Sequence, residues 1–229
     1  YPKKQEEAVS LAKQADTVLL CLGLDELRES EGLDRADMAL AENQQQLLDA
    51  VAAVNPNVVV LLSAGAPVET PWAGRCKALV YGALGGQAGA GAAADILTGK
   101  LCPCGKLSQT WAKAHDDTPA KANFGGEGRN VEYREGLYVG YRYYQTAGVK
   151  PAFPFGYGLS YTTFEYSGLK ADETGVTLTV TNTGSAAGAE IVQLYVAKPD
   201  AKVFRPEQEL KGFAKVSLAP GESKTVAIA

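Results

Sequence analysis

Three short apolar runs, separated by segments with the spacing of amphipathic helices, constrain the fold of this chain most strongly. The runs TVLLCLG, NVVVLLSAG and KALVYGAL occupy residues 17–23, 57–65 and 77–84. Each is continuously apolar rather than alternating, which is typical of strands in a parallel sheet that is covered on both faces. The sequence therefore predicts an α/β fold, a mostly parallel sheet sandwiched by helices, over residues 1–112.

Helical periodicity around these runs supports the same fold. Residues 4–15 and 42–54 each place apolar side chains on one face of a helix. The small-residue segment at 85–99 predicts a third helix that is closed by Gly99. Because Cys21 lies inside the first apolar run, we expect its thiol to be buried.

The composition changes after residue 112. Residues 113–163 are rich in Gly, Pro and Tyr and show no helical period. They predict an extended, ordered connector packed on the α/β domain, because aromatic side chains at this density are normally buried. Within it, YVGYRYY at 138–144 is interpreted as a buried aromatic strand, with a sugar-stacking platform as the alternative.

Strict alternation of apolar and polar residues marks the last third of the chain. GVTLTVTN and AEIVQLYV alternate in this way, and LKGFAKVSLAPGESKTVAIA adds two short strands around a Pro-Gly turn. Residues 164–229 therefore predict a small antiparallel β-sandwich of the fibronectin type III-like kind, which we expect to be incomplete at its end. The α/β domain at 1–112 is likewise expected to be truncated at its start, with 113–163 as the connector between the two.

Composition argues against several partners and cofactors. The net charge is −4 without any basic run, so we expect no nucleic-acid partner. No apolar stretch approaches the ~20 residues that span a bilayer, and no leader is visible, so we expect no membrane partner. The oligomeric state stays open, a homo-oligomer included.

Metal and nucleotide sites are also poorly supported. Cys102 and Cys104 lack the Cys-x-x-Cys spacing, and His115 is the single histidine, so we expect neither a metal nor another cofactor. The glycine-rich segment at 82–91 follows a strand but lacks the spacing of a dinucleotide-binding loop. Free thiols slightly favour a cytoplasmic location.

An acidic stretch follows the first apolar run. Glu29, Glu31 and Asp34 crowd together with Arg35 and Asp37. Three interpretations stay open: a solvated loop with an Asp–Arg pair beside the next helix, a metal cage without EF-hand spacing, or a catalytic carboxyl group. The loop would lie at the C-terminal edge of a parallel sheet, where α/β folds place active sites. A partly shielded glutamic acid there would have a raised pKa and would serve as a general acid.

Several motifs, in order along the chain, resemble glycoside hydrolase family 3. Those that resemble its second domain and the exit from it are ESEGLDR, NQQQLL, NPNVVVLLSAGAPVETPW, LTGKLCPCGKLSQTW, YREGLYVGYRYY and PAFPFGYGLSYTTFEYS. VTNTGSAAGAEIVQLYV and RPEQELKGFAKVSLAPGE resemble the fibronectin type III-like domain that follows. The resemblance covers essentially the whole chain.

The resemblance implies retaining, exo-acting hydrolysis of a β-linked oligosaccharide or aryl glycoside, of the β-glucosidase or β-xylosidase type. It assigns the general acid/base to Glu31 of the E-G-x-D-R motif, with Glu29 as the runner-up and with Asp34 and Arg35 supporting the loop. The family's nucleophile is an aspartate on a (β/α)₈ barrel, which nothing in this chain resembles. We therefore expect the chain to need that barrel as a partner and to be inactive alone. The alternative is a non-catalytic carbohydrate-binding or structural module.

Overall fold

The computed structural model describes residues 2–229, which form two compact units. The first unit holds the residues up to Ala94 together with Trp111–Asp116. The second unit holds Asp95–Thr110 and Asp117–Ala229. The predicted class, a parallel sheet with helices followed by antiparallel sheets, is confirmed.

The first unit is built on a three-stranded parallel sheet. Its strands are β1 (Val18–Gly23), β2 (Val58–Ser63) and β3 (Ala78–Tyr81), in the order β1-β2-β3. The helices are α1 (Pro2–Ala12), α2 (Glu42–Ala52) and α3 (Gly89–Leu97), and short 3₁₀ turns lie at Ala73–Arg75, Gly86–Ala88 and His115–Asp117. All three predicted strands and all three predicted helices are present, with shifts of a few residues at their ends.

The two faces of this sheet are covered unequally. Leu20 of β1 pairs with Val60 of β2, and both side chains are buried. On the opposite face of β1, Leu19 is 46% exposed and Cys21 is also exposed. The prediction that Cys21 is buried is therefore wrong, because β1 is an edge strand and alternate residues of its apolar run face solvent.

The second unit contains a two-sheet antiparallel β-sandwich. Its strands are β4 (Phe164–Asp172), β5 (Gly175–Asn182), β6 (Gly188–Val196), β7 (Glu209–Leu218) and β8 (Ser223–Ile228). One sheet has the order β4-β5-β8 and the other pairs β6 with β7. The alternation seen in the sequence places one side of each strand inward, and the core consists of Leu178, Val180, Val192, Val216, Leu218, Val226 and Ile228.

The aromatic segment at 138–144 is not a strand. It leads into a short helix, α4 (Tyr141–Thr146), whose first turn begins at Gly140 with φ 55°. The backbone N–H groups of Tyr143 and Tyr144 donate to the Gly140 carbonyl. The strand interpretation is wrong because a glycine in the left-handed region redirects the chain, which a β-strand does not allow.

Candidate active site

The loop of residues 24–41, here called the acidic loop, begins where β1 ends. The side chain of Gln44 in α2 accepts a hydrogen bond from Gly23 N at 2.9 Å and donates one to Gly23 O at 2.8 Å. Leu24 N donates to Ser63 O at 3.1 Å, beside the end of β2. A Cβ at Gly23 would collide with that same Ser63 carbonyl. The start of the acidic loop is therefore fixed at the C-terminal edge of the parallel sheet, as predicted from its place after an apolar run that predicts a parallel strand.

The first turn of the acidic loop is organised by Asp25. Its Oδ1 accepts hydrogen bonds from Leu27 N at 3.1 Å and from Arg28 N at 3.0 Å. Its carbonyl accepts from Glu29 N at 2.9 Å. This arrangement is an Asx-type turn, in which a short carboxylate side chain accepts hydrogen bonds from backbone N–H groups that follow it in the chain. Sequence reasoning missed Asp25, although an aspartate two residues after the end of a strand is a signal for such a turn.

Glu29 anchors the acidic loop to the segment after β2. Its Oε2 accepts a hydrogen bond from Gly65 N at 2.9 Å. The hydroxyl of Tyr81 donates to Ala64 O at 2.9 Å, and its ring packs edge-on against Trp111 with centroids 4.9 Å apart. Burial raises the pKa of Tyr81, and the nearby Glu29 carboxylate raises it further. The Glu29 carboxylate is thus engaged by a backbone N–H group at the surface of the first unit.

A second set of contacts holds the far end of the acidic loop. Arg28 Nη1 lies 3.5 Å from Asp37 Oδ1, and the same Asp37 oxygen accepts from Ala39 N at 2.9 Å. Arg35 Nη1 donates to the carbonyl of Pro67 at 3.1 Å. The Asp–Arg pair therefore joins Arg28 with Asp37, and neither residue caps α2, whose N-cap is Ala41 without a side-chain hydrogen bond.

Glu31 lies between these anchors and is exposed. Within residues 2–229, no hydrogen bond or ion pair involves its carboxylate, and the same holds for Asp34. Gly32 follows with φ 78°, a backbone conformation that a glycine adopts without a steric penalty. The partial shielding expected for Glu31 is therefore not provided by the described part of the chain. The roles assigned to Glu31, Glu29, Asp34 and Arg35 stay predictions.

The described residues contain neither a metal-binding cluster nor a membrane-spanning helix. No group of three or more His, Cys, Asp or Glu side chains within residues 2–229 could hold a metal ion. The four cysteines are free thiols. Among the helices of residues 2–229, none combines the length and the apolarity required to cross a membrane.

Family comparison agrees with an α/β domain that carries an acidic loop and is followed by a β-sandwich. Residues 2–161 match the glycosyl hydrolase family 3 C-terminal domain, and residues 190–229 match a fibronectin type III-like domain. The chain therefore belongs to glycosyl hydrolase family 3.

Individual relatives support this assignment over almost the whole chain. The chain is 50% identical to thermostable β-glucosidase B of Acetivibrio thermocellus, over 96% of this chain and 30% of the relative. It is 49% identical to an exo-α-(1→6)-L-arabinopyranosidase of Bifidobacterium breve, over 99% of this chain and 31% of that relative. The structure of a β-glucosidase from Kluyveromyces marxianus in complex with glucose superposes with a TM-score of 0.94 at 45% identity, over 99% of this chain and 28% of that one. The chain thus spans about a third of the length of the relatives that it matches.

Proposed function

We propose that this chain is the part of a retaining, exo-acting β-glycosidase that supplies the general acid/base. In this proposal Glu31 is the acid/base, and the nucleophile is an aspartate on a (β/α)₈ barrel that these residues do not include. Membership of the family supports the reaction class. The proposed substrates are β-glucosides or β-xylosides, as oligosaccharides or aryl glycosides.

The observation that carries the assignment is the contrast between two glutamates two residues apart. The Glu29 carboxylate accepts a hydrogen bond from Gly65 N, whereas the Glu31 carboxylate is exposed and has no partner within the described residues. A general acid/base must reach the departing oxygen and exchange a proton with it. An exposed Glu31 carboxylate could approach a substrate without losing a contact, whereas Glu29 would have to abandon its backbone contact, and this difference supports Glu31.

In this proposal Glu31 acts in both steps of the reaction. Glu31 first protonates the glycosidic oxygen while the barrel aspartate attacks the anomeric carbon, and it then removes a proton from the water that hydrolyses the glycosyl-enzyme. Retention requires the two carboxyl groups to lie about 5–5.5 Å apart, so the position of Glu31 must be held closely. Contacts on both sides of Glu31, at Glu29 and at Arg35, support such a fixed position.

The assignment is tested by varying the leaving group in the enzyme that joins this chain to its barrel. Glu31→Gln should lower kcat/KM for phenyl or alkyl β-glucosides by about 10²–10⁴-fold, because their leaving groups need a proton. Glycosyl transfer from dinitrophenyl β-glucoside, whose leaving group needs none, should be far less affected. Glu29→Gln is the matched control and should lower both rates equally and modestly. Equal loss on both substrates in Glu31→Gln would assign the proton transfer to another residue.

The proposal also predicts that this chain is one part of a divided active site and not an enzyme by itself. The 229-residue chain alone should not hydrolyse nitrophenyl β-glucoside, because the nucleophile lies on the barrel. Turnover by the purified chain would contradict the division of the active site between two parts of the protein.

A further inference from the structure

The second unit contains a cavity of about 720 Å³, lined mainly by α4, the segment that follows it, and β6. This volume falls within the range of ~300–1,000 Å³ that is typical of small-molecule sites in proteins. None of the lining residues belongs to the acidic loop. Tyr141 and Tyr144 line the cavity, and both belong to the segment 138–144, for which a sugar-stacking platform was the alternative interpretation.

Aromatic rings form one part of the cavity wall. The ring of Tyr141 lies 5.1 Å from that of Phe155 and 5.7 Å from that of Tyr195, measured between centroids. The hydroxyl of Tyr141 accepts a hydrogen bond from Leu210 N at 2.8 Å, which holds α4 against β7. Tyr166 of β4 also lines the cavity and is 48% exposed. Part of this aromatic surface is therefore open to a ligand.

Neutral amide side chains contribute to the wall as well. The Oε1 of Gln145 is buried and has no hydrogen-bond partner within the described residues. Buried polar atoms normally have a partner. The terminal amide torsion of glutamine is broad, so a modest rotation turns this group toward the cavity. Gln208 adds a further amide to the lining. The amide of Gln193 also lies there, but it already accepts from the Tyr195 hydroxyl at 2.7 Å and donates to Gly156 O at 3.0 Å.

The charges of the lining are nearly balanced. Glu190 lies 3.1 Å from Lys106 Nζ, and both side chains are largely buried, so its charge is compensated inside the fold. Tyr166 is neutral near pH 7, as an ordinary tyrosine is. Desolvation, and after it the nearby Glu190, raises its pKa further, to about 12. Lys150 is the remaining charged lining residue and is exposed. Such a wall favours a neutral ligand over an ionic one.

We infer that this cavity is a non-catalytic site for a neutral pyranose. Aromatic rings offer flat apolar faces to the C–H face of a sugar ring, and amides and phenols exchange hydrogen bonds with its hydroxyl groups. The inference goes beyond the proposed function and does not depend on Glu31. The chain would then be both the acid/base-bearing part of a glycosidase and a carbohydrate-binding module, the two alternatives drawn from the sequence.

The experiment measures binding of methyl β-D-glucoside to the 229-residue chain by saturation-transfer NMR and calorimetry. Gln145→Met removes the amide at nearly constant volume, and Tyr166→Ala removes an exposed ring. Tyr133→Ala is the matched control, because Tyr133 is 87% exposed and does not line the cavity. Thermal unfolding of each variant verifies that it is folded. The same titration on the longer enzyme, with its nucleophile blocked by a 2-deoxy-2-fluoroglucosyl group, provides a second measurement.

We expect the wild-type chain to bind the glucoside with millimolar affinity. Gln145→Met and Tyr166→Ala should each weaken binding by about tenfold, as the loss of one good contact would. Tyr133→Ala and Glu31→Gln should bind like the wild type. The inference would be overturned if neither the folded chain nor the blocked enzyme binds the glucoside. It would also be overturned if Glu31→Gln abolishes binding while Gln145→Met binds like the wild type. Failure of the Glu31 assignment in leaving-group experiments would leave this result unaffected.

Discussion

Glu29 and Gly65 connect the loops that follow two neighbouring parallel strands, through a hydrogen bond of 2.9 Å from Gly65 N to Glu29 Oε2. A Cβ at Gly65 would lie 2.8 Å from Glu29 Oε1 and 2.9 Å from the Cδ1 of Leu84. The absence of a side chain at Gly65 is therefore what allows the carboxylate to approach. Because Glu31 is only two residues away, the position of the proposed acid/base depends on this contact.

Gly65→Ala should lower activity without unfolding the protein. The atoms that a new methyl group would meet are the ends of two flexible side chains, so we expect a stability loss below ~1 kcal/mol. The displaced carboxylate should shift the acidic loop and lower kcat/KM about tenfold, since small misplacements of catalytic groups are costly. Kinetics of the enzyme that joins this chain to its barrel, with a phenyl β-glucoside as substrate, test the loss of activity, and urea unfolding tests the stability.

Gly74→Ala is the control for this substitution. No atom lies within 4 Å of a Cβ at Gly74, and the residue does not require a positive φ. Its activity should equal that of the wild type. An equal loss of kcat/KM in Gly65→Ala and Gly74→Ala would show that the contact between Gly65 and Glu29 does not position the acidic loop.

Glu29→Ala should behave as the loss of an anchor and not as the loss of a proton donor. Removal of a hydrogen bond to a charged group costs about 1.5–3 kcal/mol, so kcat/KM should fall by one to two orders of magnitude through disorder of the loop. The ratio of rates for dinitrophenyl and phenyl β-glucosides should stay at the wild-type value. A selective loss on the phenyl glucoside would move the acid/base role to Glu29.

Lys106→Met should destabilise the second unit strongly. Lys106 Nζ lies 3.1 Å from Glu190 and donates to Gly158 O at 2.8 Å, and both charged side chains are largely buried. Removing one partner of such a buried pair costs ~3–5 kcal/mol, because a largely buried carboxylate is left without its cation. Lys100→Met removes a more exposed pair with Asp95 and should cost less than ~1 kcal/mol. Similar losses in urea unfolding of the two variants would contradict this account.

Tyr144 should contribute to the loss of stability at alkaline pH. Its pKa is raised from 10.0 to about 12, first by burial and then by Asp117 and Tyr143. The folded protein therefore holds the phenolic proton more strongly than the unfolded chain. The resulting stabilisation is complete below pH 10 and is lost as the pH rises toward 12, with a slope of up to ~1.4 kcal/mol per pH unit.

Tyr144→Phe removes this titration and should make the alkaline decline shallower. The comparison uses urea midpoints of the wild type and the variant below and above the ordinary tyrosine pKa of 10.0. Parallel declines would show that Tyr144 does not hold its proton more strongly in the folded state.

The parallel sheet could be predicted from sequence because each of its strands is a continuous apolar run. The same property misled the prediction for Cys21, since an apolar run alone does not reveal that β1 is an edge strand. Helix α4 was missed because six residues make fewer than two turns, which is too short for a helical period to appear.

The candidate site, too, could be predicted from sequence only in part. The position of the acidic loop directly after a predicted parallel strand was enough to place it at the C-terminal edge of the sheet. The contact of Glu29 could not be predicted, because its partner is a backbone N–H group 36 residues away. The cavity beside Tyr141 was out of reach for a similar reason, since β6 and α4 meet only in the folded chain. Tertiary contacts of this kind leave no periodic pattern in the sequence.

The central claim concerns the carboxylate of Glu31, and mass spectrometry of the Glu31→Gln enzyme tests it most directly. Mixed with dinitrophenyl β-glucoside, the variant should accumulate a covalent glycosyl-enzyme, because no general base is left to activate water for its hydrolysis. Added azide, which needs no base, should release the sugar as a β-glycosyl azide and restore turnover. A variant that neither accumulates the intermediate nor responds to azide, while Glu29→Gln does both, would contradict the assignment of Glu31.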